Sequence, residues 1–185
     1  MSYRSDSARL SALLRADPFR MRCLRAVRAL KLNDAFIAAG FVRNAIWDAC
    51  HGYDEPTPLN DIDVVYFDRR DCSEARDAAL TEQLQSQVPD VVWEVKNQAR
   101  MHAKHNHSPY TNTTEALRHW VEIPTCVGVR LEEDDSLTVT APFGLAHNFS
   151  LNVAINPDFP RPYVFRQRIA SKQWLLRWPR LRVCD

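Results

Sequence analysis

The sequence predicts an α+β domain, or a mixed α/β one, built on one sheet with helices packed against it. Three observations carry that prediction. Strand-like apolar runs alternate with helical periodicity in the first half of the chain, and strands dominate afterwards. The composition, 45% hydrophobic and 25% charged, is that of an ordinary globular chain and excludes disordered and fibrous classes. A length of 185 residues corresponds to one domain, read here as 1–185. Within it, 1–33 is an N-terminal helical segment and 160–185 a C-terminal helix packed on the core.

The elements follow in order. Asp17-Pro18 reads as an N-cap followed by proline at the first helical position. Cys23, Leu24, Val27 and Leu30 then recur on one helical face, with Arg22, Arg25 and Arg28 outward. The run 35–39 is a buried strand ended by Gly40, and Val42, Ile46, Trp47 and Cys50 predict a helix over 42–50. Two prolines make 54–58 a turn before the β-branched and aromatic strand 62–67. The Asp71–Glu74 stretch resembles a capping box that opens a helix to about Val88. A third strand covers 91–95, a short helix 97–103, a polar loop 105–114 and a short helix 114–120. Segments 125–131 and 137–140 form a hairpin around Glu132–Asp135. Pro142-Phe143-Gly144 turns, 151–155 is a strand, the proline-rich stretch 156–162 connects, and 165–178 is the last helix, stopped by Pro179.

Several function classes fall away at once. With 24 Lys+Arg against 23 Asp+Glu, no whole-chain basic field draws the protein to nucleic acid or anionic membrane. The 4 glycines, at 40, 52, 128 and 144, build neither a G-x-G-x-x-G fingerprint nor a P-loop. The 5 cysteines are unclustered, which favours reduced thiols and a cytoplasmic setting. Neither a signal-peptide core nor a membrane-length apolar run is present.

The candidate chemistry starts at Asn60-Asp61-Ile62-Asp63. Residues two apart in a strand point to the same face, so Asp61 and Asp63 project together. Like charges this close repel unless a cation lies between them, and oxygen ligands suit Mg²⁺ or Mn²⁺. Solvated acids at a strand end are the plain alternative. Glu94 is an isolated acid in an apolar strand, and if its strand neighbours 62–67 the acids converge. Three carboxylates around divalent ions would hold a triphosphate and activate a hydroxyl. Lys96-Asn97-Gln98-Ala99-Arg100 then forms a dense polar rim, alternatively a capped and solvated short helix. His102, His105 and His107 lack a companion cysteine, so a loop is favoured over a zinc site. The tryptophans Trp120, Trp174 and Trp178 read as core or interface rather than base-stacking platforms, and Arg166 and Arg168 on the last helix as structural ion-pair formers, alternatively as cations reaching the cleft.

The motifs Gly40-Phe-Val-Arg-Asn44, Trp47-Asp48, Thr57 to Asp68, Trp93 to His102 and Ala141-Pro-Phe-Gly-Leu145 resemble a family of small bacterial nucleotidyltransferase-like proteins. The resemblance covers roughly residues 35–180. It implies the polymerase-β-type nucleotidyltransferase fold, a mixed β-sheet flanked by helices. It also implies Asp61, Asp63 and Glu94 as catalytic metal ligands for Mg²⁺ or Mn²⁺. Gly40, Arg43, Asn44, Lys96, Asn97 and Arg100 become the expected nucleotide contacts. The implied reaction transfers a nucleoside monophosphate from a nucleoside triphosphate to a small-molecule, RNA or protein hydroxyl. Where most such enzymes carry Gly-Ser or Gly-Gly, this chain has Gly40-Phe41, whose ring would crowd the phosphates unless it turns into the core. That departure motivates the alternative of a non-catalytic nucleotide-binding or regulatory module.

Overall fold

A computed structural model describes residues 3–184. Helix α1 (Tyr3–Ala16) leads into α2 (Pro18–Ala29), where the Asp17 side chain accepts from the Arg20 N–H as its cap. Strand β1 (Phe36–Ala38) is followed directly by α3 (Gly40–His51), and β2 (Ile62–Tyr66) by α4 (Glu74–Gln87). Ser73, not Asp71, caps α4; Asp71 accepts from the Ser73 N–H one step earlier. Strand β3 (Trp93–Asn97) runs through a 3₁₀ turn into α5 (Met101–His105), and α6 (Thr113–Arg118) is capped by Asn112. The hairpin is β4 (Gly128–Leu131) and β5 (Leu137–Thr140). It starts later than its apolar run predicts, because Pro124 sits in a 3₁₀ turn over Ile123–Thr125. Then come α7 (Ala146–Phe149), β6 (Asn152–Ala154), α8 (Pro162–Lys172), α9 (Trp174–Arg177) and β7 (Arg182–Cys184).

Five strands form one mixed sheet in the order β3-β2-β1-β4-β5. Only β2 and β3 pair in parallel; the other neighbours are antiparallel. This matches the predicted α+β architecture of a mixed sheet flanked by helices. One sheet face, with Ile37, Ile62, Val64, Tyr66, Trp93, Val95 and Val129, packs on the helices and holds the main core. The opposite face carries Phe36, Ala38 and Val65, covered by Leu117 and Trp120. β6 falls within the predicted strand 151–155, but its parallel partner β7 and their pairing were not legible in the sequence.

The predicted last helix is broken. Gln173 takes a left-handed conformation (φ 53) between α8 and α9. The break lets Trp174 and Trp178 turn inward onto Trp47, with edge-on ring contacts at 5.5 and 5.1 Å. Among the described residues no helix is long and apolar enough to cross a membrane.

Beyond β2, Asp68 accepts from Arg70 and Arg76, and these contacts pull its carboxyl well below the usual range. Its folded value lies below its unfolded value of about 3.9. Its contribution is therefore present above that pH and lost as pH falls. Thermal melts from pH 5 to 2.5 are expected to show a shallower acid loss for Asp68→Asn than for wild type, from a lower starting stability.

Candidate active site

The acids are brought together by strand register. Asp61 immediately precedes β2 and Asp63 lies within it, on the face opposite the main core. The parallel neighbour β3 places Glu94 directly opposite Asp63. Neighbouring strands lie about 4.8 Å apart, so the two carboxylates share one patch of surface. Burial, then Asp61, then Glu94 push the Asp63 carboxyl up to about 6, while Arg43 and Lys172 act the other way.

Among the described residues no three His, Cys, Asp or Glu side chains converge as a ready-made metal cage. The acids share a face and a field instead. Their chemistry still suits a hard cation, because Mg²⁺ is bound through one or two carboxylates and keeps several waters. The repulsion felt at Asp63 is what a cation would relieve.

The opposite wall begins at the β1–α3 junction. Ala39 is held at φ 53, ψ −120, a strained conformation for a residue with a side chain, and α3 has no side-chain cap. Gly40 follows, and a Cβ there would stand 3.3 Å from Arg43 Nη2. The glycine thus leaves room for a guanidinium rather than supplying unusual backbone. Arg43 is buried and makes no ion pair among the described residues. It donates to Asn44 Oδ1 at 3.2 and 3.0 Å and to Thr125 Oγ1 at 3.0 Å. Its guanidinium lies 4.4 Å from the Trp174 ring centre and 5.0 Å from that of Trp47. Desolvation lowers its pKa to about 10, partly offset by Glu122, Asp63 and Asp61. Phe41 is fully buried in the main core, so its ring does not crowd the helix start.

Between these walls is a cleft of about 440 Å³, lined by Asp61, Asp63, Glu94, Gly40 and Arg43. That volume suits a small-molecule ligand. Asn44 lies one layer deeper, orienting Arg43. Lys96 shares the Glu94 face of β3 but does not line the cleft, and neither do Asn97 and Arg100. Asn97 is fully buried, and its side-chain amide is committed to Asp68, Asp71 and Ala99 backbone groups. Arg100 pairs with Asp77 of α4 at 2.5 Å. The reading of this stretch as a nucleotide rim is therefore corrected for Asn97 and Arg100. The plainer reading, a capped turn, describes them.

Of the far wall, sequence reasoning offered only Arg168, as an alternative to a structural ion pair. Arg161, Arg168 and Lys172, on or next to α8, line the cleft with Glu122, Trp120 and Trp174. Glu122 is fully buried and accepts from Arg168 at 2.5 and 3.4 Å. Arg168 is in an ion pair, as expected, and also faces the cleft. Helical spacing of the three cations was a usable signal, and so was Glu122, an acid alone among apolar neighbours like Glu94. His105 also lines the cleft, whereas His107 stacks in a ring cluster with Tyr110, His119 and Phe159.

With this geometry in place, comparison with known proteins is informative. A solved structure described as revealing a CCA-adding enzyme head domain is 32% identical, with TM-score 0.81, covering 95% of this chain and 94% of that one. A CCA-adding enzyme solved with CTP is 14% identical with TM-score 0.53, covering 93% of this chain and 49% of that one. A tRNA nucleotidyltransferase with a primer tRNA and an incoming ATP analogue is 16% identical with TM-score 0.52, covering 88% and 46%. The last two show a shared fold, and this chain spans just under half of their length. The search of curated proteins returns no match. A family model described as nucleotidyltransferase matches residues 25–183, from the second helix to the last strand and across every wall of the cleft. By that match, and by the 32% identity over nearly its whole length, the chain belongs to this nucleotidyltransferase family.

Proposed function

We propose that the cleft transfers a nucleoside monophosphate from a nucleoside triphosphate to a hydroxyl acceptor, releasing pyrophosphate. The observation that carries this reading is the register of β2 and β3, which sets Glu94 beside Asp63 and Asp61 opposite a buried Arg43 that has no ion-pair partner among the described residues. Asp61, Asp63 and Glu94 would hold Mg²⁺ or Mn²⁺. When bound, such an ion neutralises phosphate oxygens and makes the acceptor hydroxyl more acidic.

The chain's own residues account for the rest. The start of α3 has no side-chain cap, so phosphate would be received there by the N–H groups of its first residues, Gly40 and Phe41. Arg43, fixed by Asn44, Thr125 and two indole rings, supplies a preorganised positive charge where negative charge accumulates. The acceptor oxygen bonds to the α-phosphorus as the bond to the pyrophosphate oxygen breaks, and Glu94 takes the hydroxyl proton. The alternative of a non-catalytic module loses the residue that motivated it, since the Phe41 ring lies in the core.

Relatives solved with CTP, with an ATP analogue and with a primer tRNA set the order of tests. Purified protein with Mg²⁺ or Mn²⁺ and labelled nucleoside triphosphates should release pyrophosphate in the presence of an RNA end, a small hydroxyl compound or its own side chains. No label transfer to any of the three, with both ions and all four nucleotides, would count against the reading. Arg43→Ala is expected to lower kcat/KM for the triphosphate about 100-fold. Arg43→Lys should not restore it, because an ammonium lacks the planar fork held between Asn44, Thr125 and the indoles. Steady-state kinetics of both variants checks this.

A further inference from the structure

A second cleft, of about 580 Å³, lies away from the acids and shares no lining residue with theirs. It opens where α1, the C-terminal end of α3, the α7–β6 junction and the entry to β7 meet. Three arginines line it, Arg9, Arg180 and Arg182, with the Ser150 hydroxyl and no aspartate or glutamate. In a chain of net charge +1, that is a local concentration of one sign.

The three arginines are held differently. Arg180 is anchored: its Nη1 donates to the Cys50 carbonyl at 2.6 Å, and its backbone N–H donates to His51 Nε2 at 3.1 Å. Its remaining guanidinium N–H groups have no protein partner among the described residues. Arg182 is exposed, and its guanidinium makes no hydrogen bond or ion pair among the described residues. Arg9 stacks 4.2 Å from the Phe149 ring centre and sits 3.6 Å from Asp6. Leu181, buried in the core around Trp47, contributes apolar wall. The Cys50 thiol, half-buried in the same cleft, is pushed up by burial and pulled back by Arg9 and Arg180.

We propose that this cleft binds a small phosphoryl anion with several negative charges, of the inorganic pyrophosphate or tripolyphosphate class, at a site distinct from the catalytic cleft. Guanidinium forks match phosphoryl oxygens in pairs, which suits arginine over lysine at such a site. The volume is that of a small-ligand cleft. A nucleic-acid backbone is instead tracked by an extended basic stripe, whereas these three arginines line a single cleft. An anion here would bridge α1, the end of α3 and β7, three segments distant in sequence. Binding to the native state alone would raise the melting temperature.

The test uses tripolyphosphate on the full chain, with chelator present so that the acid cluster has no ion to recruit phosphate. Amide shifts are followed by NMR and melting by calorimetry. The expected result is saturable shifts at Ser150, Arg180 and Arg182, with little change at Ala39 and Gly40, and a rise in melting temperature. Arg182→Ser should weaken binding at least about tenfold, and the Arg180→Ser/Arg182→Ser pair should abolish it. Arg182→Lys should retain part of it, which separates lost recognition from lost folding. Asp63→Asn should bind as wild type does. Shifts centred on Gly40, wild-type binding by the double variant, or a linear unsaturable response would each overturn the proposal. Tighter binding of a single-stranded oligonucleotide at the same amides would assign the cleft to nucleic acid instead. Nucleotidyl transfer plays no part in these readouts, so its failure and that of the anion site are distinguishable.

Discussion

Asp61→Asn/Asp63→Asn is expected to reduce nucleotidyl transfer by at least about 1,000-fold, roughly 4 kcal/mol of transition-state stabilisation. Asparagine keeps the shape of each side chain and removes the charge that would hold a divalent ion. The melting temperature should stay level or rise in the absence of metal. Burial and the neighbouring acids already disfavour the ionised form of Asp63, and the double change removes that repulsion. Pyrophosphate release and calorimetry on the same samples check both halves. Activity within about tenfold of wild type would remove these acids from the chemistry. A large fall in melting temperature would mark them as structural instead.

Asp48→Ala is expected to give the largest loss of stability. Asp48 is buried at the end of α3 and accepts from Trp178 Nε1 at 2.7 Å, Thr57 N at 2.9 Å and Thr57 Oγ1 at 2.6 Å. Truncation leaves an indole N–H and a backbone N–H without partners, each costing about 1–3 kcal/mol when buried. A total near 3 kcal/mol corresponds to a melting temperature lower by about 6–12 °C for a chain of this size. Denaturant unfolding followed by tryptophan fluorescence measures it, and a loss below about 1 kcal/mol would contradict this account. Activity should fall too, because Thr57 anchors the loop that delivers Asp61 to the cleft, a coupling that kinetics below the variant's melting range would reveal.

Much of the site was legible from local pattern. Asp61 and Asp63, two acids at strand spacing, gained their weight as candidates only with Glu94 and the family resemblance beside them. Glu94 stood out as an isolated acid in an apolar strand. The strand and helix around Gly40 were readable from a short apolar run and a helical repeat. The errors share one cause. Asn97 and Arg100 were read by composition, and composition does not say which way a side chain points. Asn97 turned out to close a buried backbone network, and Arg100 to pair with Asp77. Phe41 raised a doubt that its position on α3 resolved, since its ring turns into the core while Gly40 and Arg43 of the same turn line the cleft.

The sequence alone determined that Asp61, Asp63 and Glu94 stand in apolar surroundings, that a helix begins after Asp17-Pro18, and that no glycine-rich phosphate loop can be built. Its scarce glycines have a specific use: Gly40 makes space for Arg43. Local interactions set these features, because caps, periodicity and side-chain size act within a few residues. Tertiary structure alone decided that Glu94 faces Asp63, that Arg43 is clamped between indoles, and that α8 supplies the far wall of the cleft. It also decided that Arg9, Arg180 and Arg182 meet. Those are contacts between residues far apart in the chain, chosen by strand pairing and by the packing of Trp174 and Trp178 onto Trp47, and local spacing does not say which segments will meet.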